Sequence, residues 1–187
     1  MIMRDCFYIP GWLCLLAALA PASGQQFGKT DNLAPYIPTP QVIVDRMLEA
    51  ARVKAGETVY DLGSGDGRIV ITAAQRFGAQ AVGVELSADL CRATRARVKS
   101  LGLEDRVRIV HDNLLNVNLS PADVVTICLL TSSNDRLKPN LEKYLKPGAR
   151  VISNDFEIRG WRAVEMLKVA AGNTQHTIYV YQMARRR

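Results

Sequence analysis

The chain has 187 residues, 48% hydrophobic and 22% charged, the proportions and length of one ordinary globular domain. Aromatic residues are few at 6%, no repeat or low-complexity tract occurs, and no apolar run reaches the roughly 18 residues of a membrane span, which sets aside fibrous, disordered and membrane-spanning classes. A net charge of +6 permits an acidic partner without selecting one.

Residues 1–24 read as a leader. Arg4 precedes an apolar run from Gly11 to Ala20, and Pro21-Ala22-Ser23-Gly24 follows. Ala20-x-Ala22 and Ala22-x-Gly24 both offer small residues where a signal peptidase cuts, so the expectation is export to the periplasm or outside. The alternatives are an uncleaved, membrane-associated leader and a buried N-terminal helix. Arg4 and Asp5 cancel, so the net charge belongs to the rest of the chain. Cys6 and Cys14 fall in the leader. Cys91 and Cys128 stand in no metal or redox spacing and read as small buried hydrophobes.

Residues 25–40 read as a polar, proline-containing arm, and 41–187 as the domain proper. Thr39-Pro40 predicts a helix start, with Thr39 as N-cap and Pro40 in the first helical position. Val44, Met47, Leu48 and Ala51 then mark one apolar helix face. Strands and helices alternate after that. Thr58 to Leu62 predicts a strand, and Val70, Ala73, Ala74 and Phe77 a helix stopped by Gly78. Ala81 to Glu85 predicts the second strand, and Ser87 caps a helix to about Leu101, stopped by Gly102. Val107 to His111 and Val124 to Leu130 are the third and fourth strands. Leu137, Leu141 and Leu145 predict a helix that Pro139 kinks or starts, and Ala149 to Ser153 is the fifth strand. Ala163 to Val169 and His176 to Gln182 are two β-type runs separated by only about five residues, too few for a crossover helix, so they pair antiparallel. The fold class expected is α/β: a mostly parallel seven-stranded sheet ending in an antiparallel hairpin.

The most informative stretch is Asp61-Leu62-Gly63-Ser64-Gly65-Asp66-Gly67, where a strand runs into a glycine loop and a helix opens. Alternate glycines allow positive φ and let a ligand lie against the main chain. The spacing does not match G-x-G-x-x-G, and Asp61 and Asp66 put carboxylates where a pyrophosphate would sit. Carboxylates suit a ligand carrying an amine and no phosphate, and S-adenosyl-L-methionine has that chemistry. Glu85, with Leu86 behind it, ends the second strand, where an acid accepts from both ribose hydroxyls. Asp112-Asn113 ends the third, where a carboxylate accepts from the adenine amino group. Taken singly, the glycines read as packing, Glu85 as a solvated strand end and Asp112 as a helix cap.

Together these residues resemble the class I S-adenosylmethionine-dependent methyltransferases, with Rossmann-like fold, over about residues 36–183. Asp61 to Val70, with Pro35 to Pro40 ahead of it, is similar to small bacterial relatives of the mitochondrial lysine methyltransferases that modify the ATP synthase c subunit and the adenine nucleotide translocase. The loop also resembles that of the disruptor-of-telomeric-silencing histone lysine methyltransferases. The resemblance implies that Asp61, Gly63, Ser64, Gly65 and Gly67 line the methionine end of the cofactor, that Glu85 and Leu86 hold the ribose, and that Asp112 and Asn113 hold the adenine. It implies an arm from Tyr36 to Thr39 closing over the site. The expected reaction is N-methylation of a protein lysine, with a small-molecule amine or a catalytically inactive cofactor-binding module as alternatives. Where relatives read Ser-His-Asp-Phe after the fifth strand, this chain reads Ser153-Asn154-Asp155-Phe156, and it lacks a proline after the fourth.

An amine must be neutral to attack a sulfonium methyl, and an apolar channel disfavours its charged form. Tyr36, Phe156 and Trp161 are candidate walls, with core packing as the alternative for Phe156 and Trp161. Thr131, Ser132 and Asn154 are candidates to orient the acceptor, and Asp155 or Glu157 to take its proton. His111 reads as a strand end with a satisfied ring, His176 as solvent-facing, and the pair makes no metal site. Arg92, Arg95 and Lys99 form a basic stripe, and Arg185 to Arg187 end the chain. These are a solvated face, or a dock for an anionic membrane or acidic protein. Nucleic acid is disfavoured because no aromatic platform accompanies them. A monomer is expected.

Overall fold

The computed structural model describes residues 36–184, so the leader, most of the arm and the terminal arginines lie outside the described residues. Eleven elements follow in order: α1 (Gln41–Ala50), β1 (Thr58–Leu62), α2 (Arg68–Phe77), β2 (Gln80–Glu85), α3 (Ala88–Ser100), β3 (Val107–His111), β4 (Val124–Ile127), α4 (Thr131–Tyr144), β5 (Arg150–Asn154), β6 (Glu165–Ala171) and β7 (Thr174–Gln182).

The strands form one seven-stranded sheet in the order β3-β2-β1-β4-β5-β7-β6. The first five are parallel, and β7 inserts antiparallel between β5 and β6, as the short connection between the last two runs demands. The chain winds outward from β1 through β2 to β3, then returns to place β4 on the other side of β1. The gap between β1 and β4 is therefore a switch point, open at the carboxyl ends of the strands.

The apolar spacings bury the faces they predict. Val44, Met47, Leu48 and Ala51 are buried with α2 and α3 on one face of the sheet, and Leu137, Leu141 and Leu145 are buried on the other. Each large aliphatic side chain so buried contributes about 1.5–3 kcal/mol. Gly78 closes α2 in the left-handed conformation, and the Ser87 hydroxyl accepts from the Leu90 amide at the start of α3.

Four boundaries differ from expectation. Pro40, not Thr39, caps α1: the Pro40 carbonyl accepts from Ile43 and Val44, while the Thr39 hydroxyl turns to the Cys128 sulfur at 3.4 Å. Strand β4 ends at Ile127, because Leu130 already caps α4. That helix starts eight residues before Pro139 and carries it inside, so Thr131 and Ser132 sit in its first turn rather than in a loop. The last hairpin has a two-residue turn, Gly172-Asn173, since pairing runs on to Ala171 and Thr174.

Candidate functional site

The glycine loop is built by backbone bonds to its neighbouring strand. The amides of Gly63 and Ser64 both donate to the Val84 carbonyl, and the Gly67 amide to the Ser64 carbonyl. Gly63, Gly65 and Gly67 all take positive φ, +87°, +53° and +73°. Two of them also leave no room for a side chain. A Cβ on Gly65 would stand 2.5 Å from the Tyr36 ring, and one on Gly67 2.4 Å from the Thr94 methyl. Thr94 from α3 further donates its hydroxyl to the Gly65 carbonyl at 3.0 Å.

Glu85 holds this loop to the next. One carboxylate oxygen accepts from the Gly65 amide and the other from the Ser87 amide, both at 2.8 Å. Each oxygen keeps a further lone pair for a ligand hydroxyl. Beside it the Leu86 carbonyl meets the His111 ring at 2.9 Å, and the Asp112 amide donates to the Glu85 carbonyl. Asp112 accepts from the Asn113 amide and Asn113 from the Leu115 amide, which shapes the turn after β3. Asp61, Glu85 and Asp112 thus stand at the carboxyl ends of three adjacent strands.

Asp61 is 3% exposed and accepts from the Thr126 hydroxyl at 2.8 Å. Burial pushes its carboxyl up to about 7; the Thr126 bond opposes the rise, while Glu85 and Asp66 add to it. No basic side chain is among the groups acting on it. A buried carboxylate of this kind fits the amine of S-adenosylmethionine, and the cations beside the glycine loop, Arg68 and Arg97, are engaged by Asp66. Asp66 differs. The Arg68 guanidinium holds its carboxyl below the usual range in a bidentate pair, with Arg97 nearby. Arg68 also donates to the Thr39 carbonyl at 2.6 Å, so Asp66 serves to anchor the arm. Tyr36, half exposed, covers Gly65 from that arm.

The acceptor side lies across β4 and β5. Asp61 faces Thr126 in register, and Ile127 faces Ser153, so Cys128 continues beside Asn154. Side chains alternate along strands, which places Asp61, Thr126, Cys128 and Asn154 on one face of the sheet. Burial, with Asp61 and Asp155 nearby, pushes the Cys128 thiol up to about 12. Asn154 is 7% exposed. Asp155 has a left-handed backbone, φ +63°, and is bound into β7. Its Oδ1 accepts from the Thr177 amide at 2.9 Å, and its Oδ2 meets the His176 Nδ1 at 2.6 Å.

Several expectations change here. His176 does not face solvent: its side chain is 14% exposed and bound to Asp155. Trp161 belongs to the opposite face, edge-on to Tyr181 and bonded to Glu142, so it walls no channel beside Asn154. Phe156 is exposed and Ser132 lies on the surface of the first turn of α4. On the basic stripe, Arg92 pairs with Asp89 at the surface and Arg95 bonds to the Ile109 carbonyl. Among the described residues no cluster of His, Cys, Asp or Glu is arranged to hold a metal.

Other contributors carried weaker signals. Thr126 is the one polar residue in the apolar run Val124-Val125-Thr126-Ile127, a sign that something there needs a hydroxyl. Asn134 lies three residues before Leu137 on the apolar stripe of α4. It is fully buried and donates to the Phe156 and Glu157 carbonyls, fixing the segment after β5.

Comparison with known proteins agrees with this geometry. A family profile described as the ANTKMT methyltransferase domain matches residues 61–165. A protein-lysine N-methyltransferase of Saccharolobus islandicus (strain REY15A) is 52% identical over 148 residues, 79% of this chain and 92% of that protein. An adenine nucleotide translocase lysine N-methyltransferase of Mus musculus is 33% identical over 133 residues, 71% of this chain but 58% of its own length. Among solved structures, an RNA methyltransferase from Salinibacter ruber in complex with S-adenosyl-L-homocysteine is 40% identical, with a TM-score of 0.75 over 81% of this chain and 96% of that one.

Proposed function

This chain belongs to the ANTKMT methyltransferase family, and on that premise we propose that it N-methylates lysine side chains of proteins. It is an S-adenosylmethionine-dependent methyltransferase. The observation that carries the site is Asp61, a buried carboxylate bonded to the Thr126 hydroxyl beneath the glycine loop. Bound S-adenosylmethionine supplies a methyl group on a sulfonium, and in-line attack needs a donor and an acceptor held in contact.

The residues divide that work. Asp61 holds the amine of the methionine end, with Thr126 fixing the carboxylate. Glu85 accepts from the ribose while its bonds to Gly65 and Ser87 keep both loops in place. Asp112 accepts from the adenine amino group. Tyr36, anchored through Arg68 and Thr39, shields the loop from water. Asn154 meets the acceptor, and Thr131 at the start of α4 helps orient it.

Similarity to the lysine methyltransferases supports a protein lysine as the acceptor. The Salinibacter ruber structure favours a second reading, RNA. Incubation with methyl-labelled cofactor and a cell extract separates them. Label that is protease-sensitive and nuclease-resistant supports the protein reading; the reverse pattern overturns it. For residues 1–24 we propose an export leader, tested by N-terminal sequencing of the native protein. A start near Ser23 or Gln25 supports it, and an intact Met1 or Ile2 overturns it.

A further inference from the structure

We propose that Asn154 presents its amide oxygen to an N–H of the methyl-accepting amine, and that Asp155 and His176 are positioning residues that hold the amide that way round. The inference rests on the amine reading above. The orientation of the amide is constrained by its partner. The Asn154 Nδ2 donates to the Asp155 Oδ2 at 2.9 Å. A carboxylate only accepts, so the NH₂ end of the amide must face Asp155 and the oxygen must face away.

Asp155 cannot turn to release it. Its Oδ1 is held by the Thr177 amide, its Oδ2 also by His176, and its own amide donates to the Thr177 carbonyl. The His176 Nδ1 must carry a proton for the same reason that Nδ2 does. Asp155 adopts φ +63° in making this set of bonds, a left-handed conformation that its short polar side chain supports by bonding locally. Three of the lone pairs of Asp155 are thus committed within the fold, and in this proposal its part is to position Asn154.

The amide oxygen that results is buried and accepts no hydrogen bond from the described residues. A buried acceptor left unmet is costly, and a ligand N–H recovers that cost. Its place on the face shared by Asp61, Thr126 and Cys128, beyond the methionine end of the cofactor, is where the accepting amine must come. A neutral amine has both things required there: a lone pair for the methyl carbon and an N–H for the oxygen.

The orientation can be inverted. In Asp155→Asn, the new side chain tolerates positive φ and can still accept from Thr177, but it sets an NH₂ against the Asn154 NH₂. Asn154 must then flip and offer a donor where an acceptor is needed. In the swap Asn154→Asp with Asp155→Asn, the direction of the bond reverses: residue 154 accepts from residue 155 with one oxygen and still presents the other to the amine.

The test uses the full chain, S-adenosylmethionine as methyl donor and unfolded casein as lysine acceptor, reading kcat, KM, cofactor Kd and melting temperature. Asp155→Asn and Asn154→Ala are each expected to lower kcat about 10- to 100-fold with cofactor Kd within about twofold. The swap is expected to return to within about threefold of wild type, a recovery that a merely structural role does not produce. Full activity in Asp155→Asn, or a folded, cofactor-binding swap as inactive as the single variant, overturns the proposal. Should Asp155→Asn fail to fold, an unchanged kcat in Asn154→Ala overturns it and a lowered one supports it. Wild type that binds cofactor but transfers to no lysine overturns the amine reading and this inference with it; the other outcomes bear on this inference alone.

Discussion

Protonation of Asp61 should gate cofactor binding near neutral pH. The buried carboxyl titrates at about 7, well above an ordinary aspartate, and a ligand ammonium engages only its ionised form. The sign is fixed by that direction: the free protein holds a proton that the complex releases, so affinity rises with pH. A carboxyl titrating at about 7 is about nine-tenths protonated at pH 6, so affinity there falls about tenfold from its high-pH plateau, and about a hundredfold at pH 5. Calorimetric titration with S-adenosylhomocysteine from pH 5 to 7.5, in two buffers of different ionisation enthalpy, reads both quantities. Near one proton should be released per binding event at pH 6. Asp61→Asn should bind more weakly at pH 7.5 and show little of the slope. The free fold carries the converse dependence. Between the ordinary value of 3.8 and about 7 it loses stability as pH rises, by on the order of 4 kcal/mol at most, so Asp61→Asn should be the more stable protein at pH 8. A flat wild-type profile, or a slope that persists in Asp61→Asn, refutes the reasoning.

Three further outcomes follow from the same geometry. Thr126→Val removes the bond that holds the Asp61 carboxyl down, so the midpoint of the binding profile should move to higher pH; a downward shift contradicts the assignment. Glu85→Ala should weaken cofactor binding by about 1–3 kcal/mol, or roughly 5- to 150-fold in Kd by calorimetry. Gly65→Ala meets both a positive φ and the Tyr36 ring, so it should lower the melting temperature and bind cofactor poorly. Adding Tyr36→Ala should restore part of the stability but leave the backbone strain of about 1–2 kcal/mol.

The cofactor half of the site is legible in the sequence because it is local. Asp61, the three glycines, Glu85 and Asp112 each sit at or just past the carboxyl end of a strand, and period-2 and period-3.6 patterning places the strands without knowledge of their neighbours. The acceptor half is assembled across strands. That the His176 ring reaches Asp155 depends on β7 inserting beside β5, and a hairpin signal alone does not say which of its strands docks inward. Likewise Trp161 reads as an aromatic near the end of β5, yet the turn after β5 carries it to the face of α4. The cap of α1 departs from its pattern for a different reason: a threonine before a proline satisfies the capping signature, but here the arm takes Thr39 to Cys128 instead. Thr126 and Asn134 leave a trace in the sequence, each being a polar residue on an otherwise apolar face.

Methyl transfer from S-adenosylmethionine to lysine nitrogen is the central claim, and its most direct test is the chemical form of the transferred group. Protein labelled by the full-length chain with methyl-labelled cofactor is hydrolysed in acid, and the label is followed by chromatography and mass. The expected result is label in Nε-methylated lysine, strongly reduced when Asp61→Ala replaces the wild type. Label confined to nucleosides, or none in any acceptor from a protein that binds the cofactor, contradicts it.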